Sequence, residues 1–225
     1  MNVTRRKLMA VTAGTVVAAA GAAGCAGGGA GGGGAAVKTY KNADFYEADG
    51  KLKEDFAKQA YFDMMQRFNY PVYDRLRKDM WVLDFNLGKF AEVGMAGIFW
   101  INDKEGKYLG HEIYLLPGQM LPEHWHVKLD DCAAKAEAWQ LRYGAVTLFG
   151  EGEPSPEFDK VVPAGEKEFT TVKHATVLGL GEVAPLNRVE ARHFMVGGPA
   201  GCIVTEYASY HVMSALRLTN PKAKV

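Results

Sequence analysis

The chain has 225 residues, 48% of them hydrophobic, enough for one domain with a substantial core. Lysine plus arginine and aspartate plus glutamate both number 26, so no net field draws the protein toward nucleic acid or an acidic surface. Any partner must therefore be recognised by a local site. The first 36 residues read as a leader and tether rather than as fold. Arg5, Arg6 and Lys7 make a positive start, an apolar and small-residue run follows over 8–24, and Cys25 closes Ala22-Ala23-Gly24-Cys25 ahead of a Gly/Ala tract. Arg5-Arg6 resembles a twin-arginine export signal. The residues before Cys25 resemble a lipoprotein cleavage box, with Ala22 where that box usually has Leu. The expectation is a signal peptide over 1–25, a lipid anchor at Cys25, a flexible linker over 26–40, and an exported protein, periplasmic or held at the membrane. The run is short and poor in apolar area for a spanning helix, which needs about 20 residues. Cys132 and Cys202 are too few for a disulfide scaffold and read as unlinked buried thiols.

In the mature chain, Leu52, Phe56, Ala60, Tyr61, Met64, Met65 and Phe68 form a one-sided helical stripe that Pro71 closes, and a second short helix is expected over 72–78. From about Trp81 the texture changes to short strands bounded by turn signals, expected over 96–101, 108–116, 119–126, 137–143, 145–149, 169–180, 192–196 and 202–207. No segment of this half carries a helical period. The reading is an all-β barrel over 81–225 with an N-terminal helical extension over 41–80, and no internal repeat.

The informative stretch is Gly118-Gln119-Met120-Leu121-Pro122-Glu123-His124-Trp125-His126. Alternation along a strand sends His124 and His126 to one face and Glu123 and Trp125 to the other. Glu137 opens the next expected strand, and a hairpin closed by the loop 127–136 would return it beside the histidines. Two neutral imidazoles and a carboxylate, with a third imidazole from elsewhere, suit a mid-row divalent ion with open coordination positions. Asp130 and Asp131 are rival carboxylates, placed in a solvated loop. His174 reads as a surface strand residue and His211 as a satisfied partner of backbone or carboxylate.

Gly118, His124, His126, Glu137 and Gly144 together resemble the first motif of the cupin superfamily, with a longer gap than usual between His126 and Glu137. Asp84-Phe85-Asn86-Leu87-Gly88-Lys89-Phe90, Val93-Gly94 and the strand to Trp100 are similar to D-lyxose ketol-isomerases, and the similarity runs with gaps from about Trp81 to Arg217. The resemblance implies a double-stranded β-helix (jelly-roll) barrel and a homodimer. It also implies one divalent ion held by His124, His126, Glu137 and His193, usually Mn(II), with Zn(II), Fe(II) or Co(II) as alternatives. Around His193, Arg188 and Glu190 stand where the second cupin motif usually has Pro and Gly. The resemblance further implies that Glu206 faces the sugar and serves as the base, with Glu137 as the alternative. His111 falls where many relatives have Lys. The implied function is aldose–ketose isomerisation of a small sugar through an enediolate. Its rivals are another metal cupin activity, oxygenase or epimerase, and a non-catalytic exported lipoprotein that binds sugar or metal.

Overall fold

The computed structural model describes residues 36–225; the expected leader, Cys25 and most of the expected linker lie outside the described residues. Helices α1 (Glu54–Arg67) and α2 (Asp74–Asp79) precede nine strands. These are β1 (Trp81–Leu83), β2 (Met95–Asp103), β3 (Tyr108–Leu115), β4 (Met120–His126), β5 (Glu137–Gly150), β6 (His174–Leu178), β7 (Val183–Pro185), β8 (His193–Ala208) and β9 (Leu216–Leu218). Helix α1 buries Ala57, Ala60, Tyr61, Met64 and Met65 as a one-sided stripe; of the residues expected on it, Phe56 is exposed and Leu52 precedes the helix. That stripe packs on the outer face of the sheet against Ile98, Tyr114 and Ile203. The Tyr61 hydroxyl donates to Gln119 Oε1 at 2.5 Å, and the same oxygen accepts the Leu116 N–H at 2.9 Å, which ties the helix to the chain entering β4.

All named strand pairs are antiparallel, and β8 organises them. One edge of β8 changes partner from β4 to β3 along its length, while the other edge stays on β5, so the sheet curls around β8 into a barrel. At the changeover Gly144 (φ 77°) meets Gly201 (φ 80°). A Cβ on Gly144 would stand 2.0 Å from the Gly201 carbonyl oxygen, so only glycine permits this approach.

Several expectations change here. The strands expected over 137–143 and 145–149 are one strand, because Gly144 takes its positive φ in a bulge and not in a turn. Likewise 192–196 and 202–207 merge into β8. The expected hairpin does not form: β4 pairs with β8 and β9, and β5 pairs with β6, β7 and β8. The loop 127–136 is long enough to carry the chain across the barrel instead. The barrel half also contains α3 (Glu157–Val161) and 3-10 turns at Ala164–Phe169 and Met213–Ala215, too short to show a helical period in sequence, and the strand expected over 169–180 shrinks to β6.

Both faces of β3 are covered, one by α1 and α2, the other by the barrel interior, so its alternation is muted. Ile113, Leu115, Leu141, Val204 and Cys202 fill the interior core. In the registered row above them, Phe99, His111, Glu206 and Trp139 stand on adjacent strands, and there the interior turns polar.

Candidate active site

The polar end of the barrel is built from strands whose outward residues hold them firmly. Glu123, on the outer side of β4, is buried and accepts from the Thr171 N–H (2.6 Å), the Thr171 hydroxyl (2.7 Å) and the Thr219 hydroxyl (2.6 Å). With Glu123 fixed outward, His124 and His126 point into the barrel, as alternation requires. His193 opens β8 directly opposite His124 in the strand register. The His124 and His193 rings lie 4.3 Å apart by centroid, and candidate ligand atoms of His124, His126 and His193 all fall within 4.8 Å of one another.

Backbone carbonyls fix the tautomers of two of these rings. His124 Nδ1 donates to the Pro122 carbonyl at 2.8 Å and His193 Nδ1 to the Ala191 carbonyl at 2.9 Å, so in each the Nε2 carries the lone pair. Glu137 Oε1 lies 3.5 Å from His193 Nε2 and 3.9 Å from His126 Nε2, and none of these three atoms has a protein hydrogen-bond partner. Burial, the largest influence, holds the His124 pKa down at about 3 and that of His193 at about 4, and lowers His126 as well. Neutral imidazoles with unshared lone pairs, beside a carboxylate oxygen with no other partner, are a donor set that can hold a divalent cation. Donors on one ion with bonds of about 2.1 Å sit about 3 to 3.5 Å apart, a spacing that Glu137 Oε1 meets against His193 Nε2 at 3.5 Å.

Asp130 and Asp131 do not approach this cluster; both are exposed, and Asp131 pairs with Lys104 at 3.4 Å. The structure also brings in Lys135, which the sequence reading missed. Its buried ammonium lies 3.0 Å from Glu137 Oε2 and bonds directly to Glu206 Oε1. Lys135 stands two residues before Glu137, in the loop that precedes β5, where strand alternation gives no signal. Burial pushes the Glu206 carboxyl up, but Lys135 and the His111 hydrogen bond prevail and hold it well below the usual carboxylate range. Burial raises Glu137, with Glu206 adding to the rise and Lys135 opposing it.

His111 occupies the floor of the site, where its Nδ1 meets Glu206 Oε2 at 2.7 Å. Its ring stacks on Trp81 (5.6 Å, 19°) and Phe99 (4.5 Å, 28°), forming an aromatic wall. A Cβ on Gly97 would come within 2.5 Å of both His111 Nε2 and Trp81, so glycine there makes room for the stack. The His111 Nε2 is buried without a partner. Across an open cavity this wall faces His124, His126, Lys135, Glu137 and Glu206, a mixture of apolar and polar lining suited to a small polyol. His174 lies on the surface as expected, and Cys132 and Cys202 are buried free thiols.

No protein-family model matches the chain. It is 35% identical over 143 residues to the D-lyxose ketol-isomerase of Cohnella laeviribosi, covering 64% of this chain and 77% of that protein. To the D-lyxose/D-mannose isomerase of Thermosediminibacter oceani it is 28% identical over 174 residues, covering 77% of this chain and 93% of that one. Among solved structures, the L-ribose isomerase of Cellulomonas parahominis superposes with a TM-score of 0.59 at 14% identity, over 80% of this chain and 98% of its own. The L-ribose isomerase of an Acinetobacter species gives 0.59 at 15% identity, over 75% and 91%. These structural likenesses establish the shared cupin-like fold. The extent and identity of the match to the Cohnella enzyme, which this chain covers over 77% of its length, place the chain in the D-lyxose ketol-isomerase family.

Proposed function

We propose that the protein is a metal-dependent aldose–ketose isomerase acting on D-lyxose or a closely related aldose. The observation that carries this reading is one pocket holding both a His/Glu donor set, in which Glu137 Oε1 and the Nε2 atoms of His126 and His193 lack protein partners, and a separate carboxylate kept ionised by a buried lysine. In this reading His124, His126, Glu137 and His193 hold one divalent ion, which we propose to be Mn(II). When bound, such an ion supplies charge stabilisation for the enediolate, several kcal/mol in comparable sites.

The remaining roles fall to side chains of the chain itself. Glu206, ionised and free of the donor set, takes the C2 proton, and the released electron pair forms the C1–C2 double bond while the C1 carbonyl becomes an enediolate oxygen. Glu206 then returns the proton to C1, and the O2 hydroxyl proton passes to O1, leaving the C2 ketone. Lys135, between the two carboxylates, places its ammonium where negative charge develops. The apolar and aromatic wall excludes water from the intermediate. Glu137 is the alternative base. Incubating metal-loaded and chelator-treated protein with a panel of aldopentoses and aldohexoses tests the reading: ketose must form with at least one sugar and cease on chelation. Tight sugar binding without turnover would replace the enzyme by a binding protein.

We also propose export, with cleavage before a lipid-modified Cys25 and a periplasmic or membrane-held location, on the strength of Arg5-Arg6 and the small residues before Cys25. Among the described residues no helix is long and apolar enough to cross a membrane. A homodimer is proposed on the family resemblance alone. Replacing both arginines by Lys must block export, and Cys25→Ser must abolish lipid attachment.

A further inference from the structure

We propose that His211 binds a sugar hydroxyl remote from the reacting carbons and so helps set which sugar the pocket accepts, an inference that rests on the isomerase reading. His211 lies in the loop after β8, and its backbone is clamped from β2. Asn102 Nδ2 donates to the His211 carbonyl at 2.9 Å, and Asn102 Oδ1 accepts the His211 N–H at 3.1 Å. The clamp delivers a buried imidazole to the cavity, edge-to-face with His126 (4.9 Å, 87°) and stacked near Phe99 (6.3 Å, 26°).

The sequence reading expected a satisfied histidine, and the side chain is not satisfied. Nδ1 is buried without a partner, and Nε2 meets only the Met213 thioether at 3.2 Å, a weak acceptor. His211 is also outside the converging nitrogens of His124, His126 and His193. A fixed, buried imidazole with one nitrogen unpaired and the other meeting only a thioether carries a desolvation cost that a ligand removes on binding. A neutral imidazole offers one donor and one acceptor, and a hydroxyl offers both complements. A sugar engaged at C1 and C2 by the reacting groups has hydroxyls only further along its chain to meet it.

His211→Phe tests this, because it keeps a ring against Phe99 and removes both nitrogens. The probes are D-lyxose, its 4-deoxy and 5-deoxy derivatives, and D-arabinitol, the alditol of D-lyxose that cannot isomerise. The variant must raise KM for D-lyxose and the calorimetric Kd for D-arabinitol by about 10- to 100-fold, with kcat changed by less than about threefold. Bound metal per chain must stay as in the parent. At least one deoxy sugar must lose a similar factor with the parent and nothing more with the variant. Asn102→Ala, which releases the clamp, must shift KM in the same direction by less. Should His211→Phe fail to fold, His211→Gln carries the same comparison.

Unchanged KM and Kd, an equal loss on every sugar including both deoxy derivatives, or loss of the metal would overturn the assignment. A parent that binds D-arabinitol through His211 and turns over no sugar would sustain this inference and overturn the isomerase reading. A parent that binds no polyol would overturn both.

Discussion

Replacing Lys135 by Met removes the one ammonium that bridges two buried carboxylates. Lys135 Nζ lies 3.0 Å from Glu137 Oε2 and bonds to Glu206 Oε1, with all three side chains shielded from water. At an effective dielectric constant near 20, each such contact is worth roughly 5 kcal/mol of attraction, and removing one partner of a buried pair costs about 3 to 5 kcal/mol net. The cost is capped because a carboxylate left alone can take up a proton. Burial and the neighbouring carboxylate both push in that direction once the lysine is gone. The folded variant then binds more protons than its unfolded chain, so its stability falls as pH rises. Relative to the parent, the deficit grows by up to about 1.4 kcal/mol per pH unit for each extra proton bound. Urea unfolding of metal-free protein in chelator at pH 6, 7 and 8 reads this directly. The expectation is a deficit of about 3 to 5 kcal/mol at pH 8 that narrows toward pH 6. A deficit under about 1 kcal/mol, or one that does not change with pH, would refute the buried-triad reasoning.

Other perturbations follow from the same geometry. Glu137→Gln must weaken metal binding by at least about tenfold in a competition titration, whereas Asp131→Asn, on an exposed side chain paired only with Lys104, must leave it unchanged. His124→Ala and His126→Ala must each lose most bound metal by elemental analysis while keeping their circular dichroism, because the interior core of Ile113, Leu141 and Val204 does not depend on them. Gly144→Ala must cost more than about 2 kcal/mol in thermal unfolding, since a positive φ combines with a contact to the Gly201 carbonyl. In metal-free parent protein, stability must fall as pH drops from about 6.5 toward 4, because the unfolded chain protonates His124 and His193, which burial keeps neutral in the folded protein.

How much of this was legible in the sequence depends on whether the signal was local. The inward pair His124 and His126 follows from strand alternation over a few residues, and α1 from a stripe within one helix, so both stand as read. Which strand pairs with which is a long-range choice. The expected hairpin between β4 and β5 failed because both instead take β8, whose length was hidden by Gly197, Gly198 and Gly201 looking like a break. Gly144 read as a turn for the same reason: a positive φ serves a bulge as well as a turn. Lys135 escaped because a lysine in a long polar loop ordinarily faces water, and only two acidic partners across the barrel keep it inside. His193 was reached through the family resemblance and not through spacing, since its neighbourhood departs from the usual motif, and the β4–β8 register sets it against His124.

The most direct test of the central claim is isomerisation of D-lyxose in D2O by metal-loaded protein, followed by NMR of the ketose. The account predicts D-xylulose formed only with metal present, deuterium at C1 wherever the proton on Glu206 exchanges with solvent before its return, and a loss of about 10²–10⁴-fold in kcat for Glu206→Gln with metal content unchanged. Ketose formation that survives complete metal removal, or a Glu206→Gln variant as active as the parent, would contradict it.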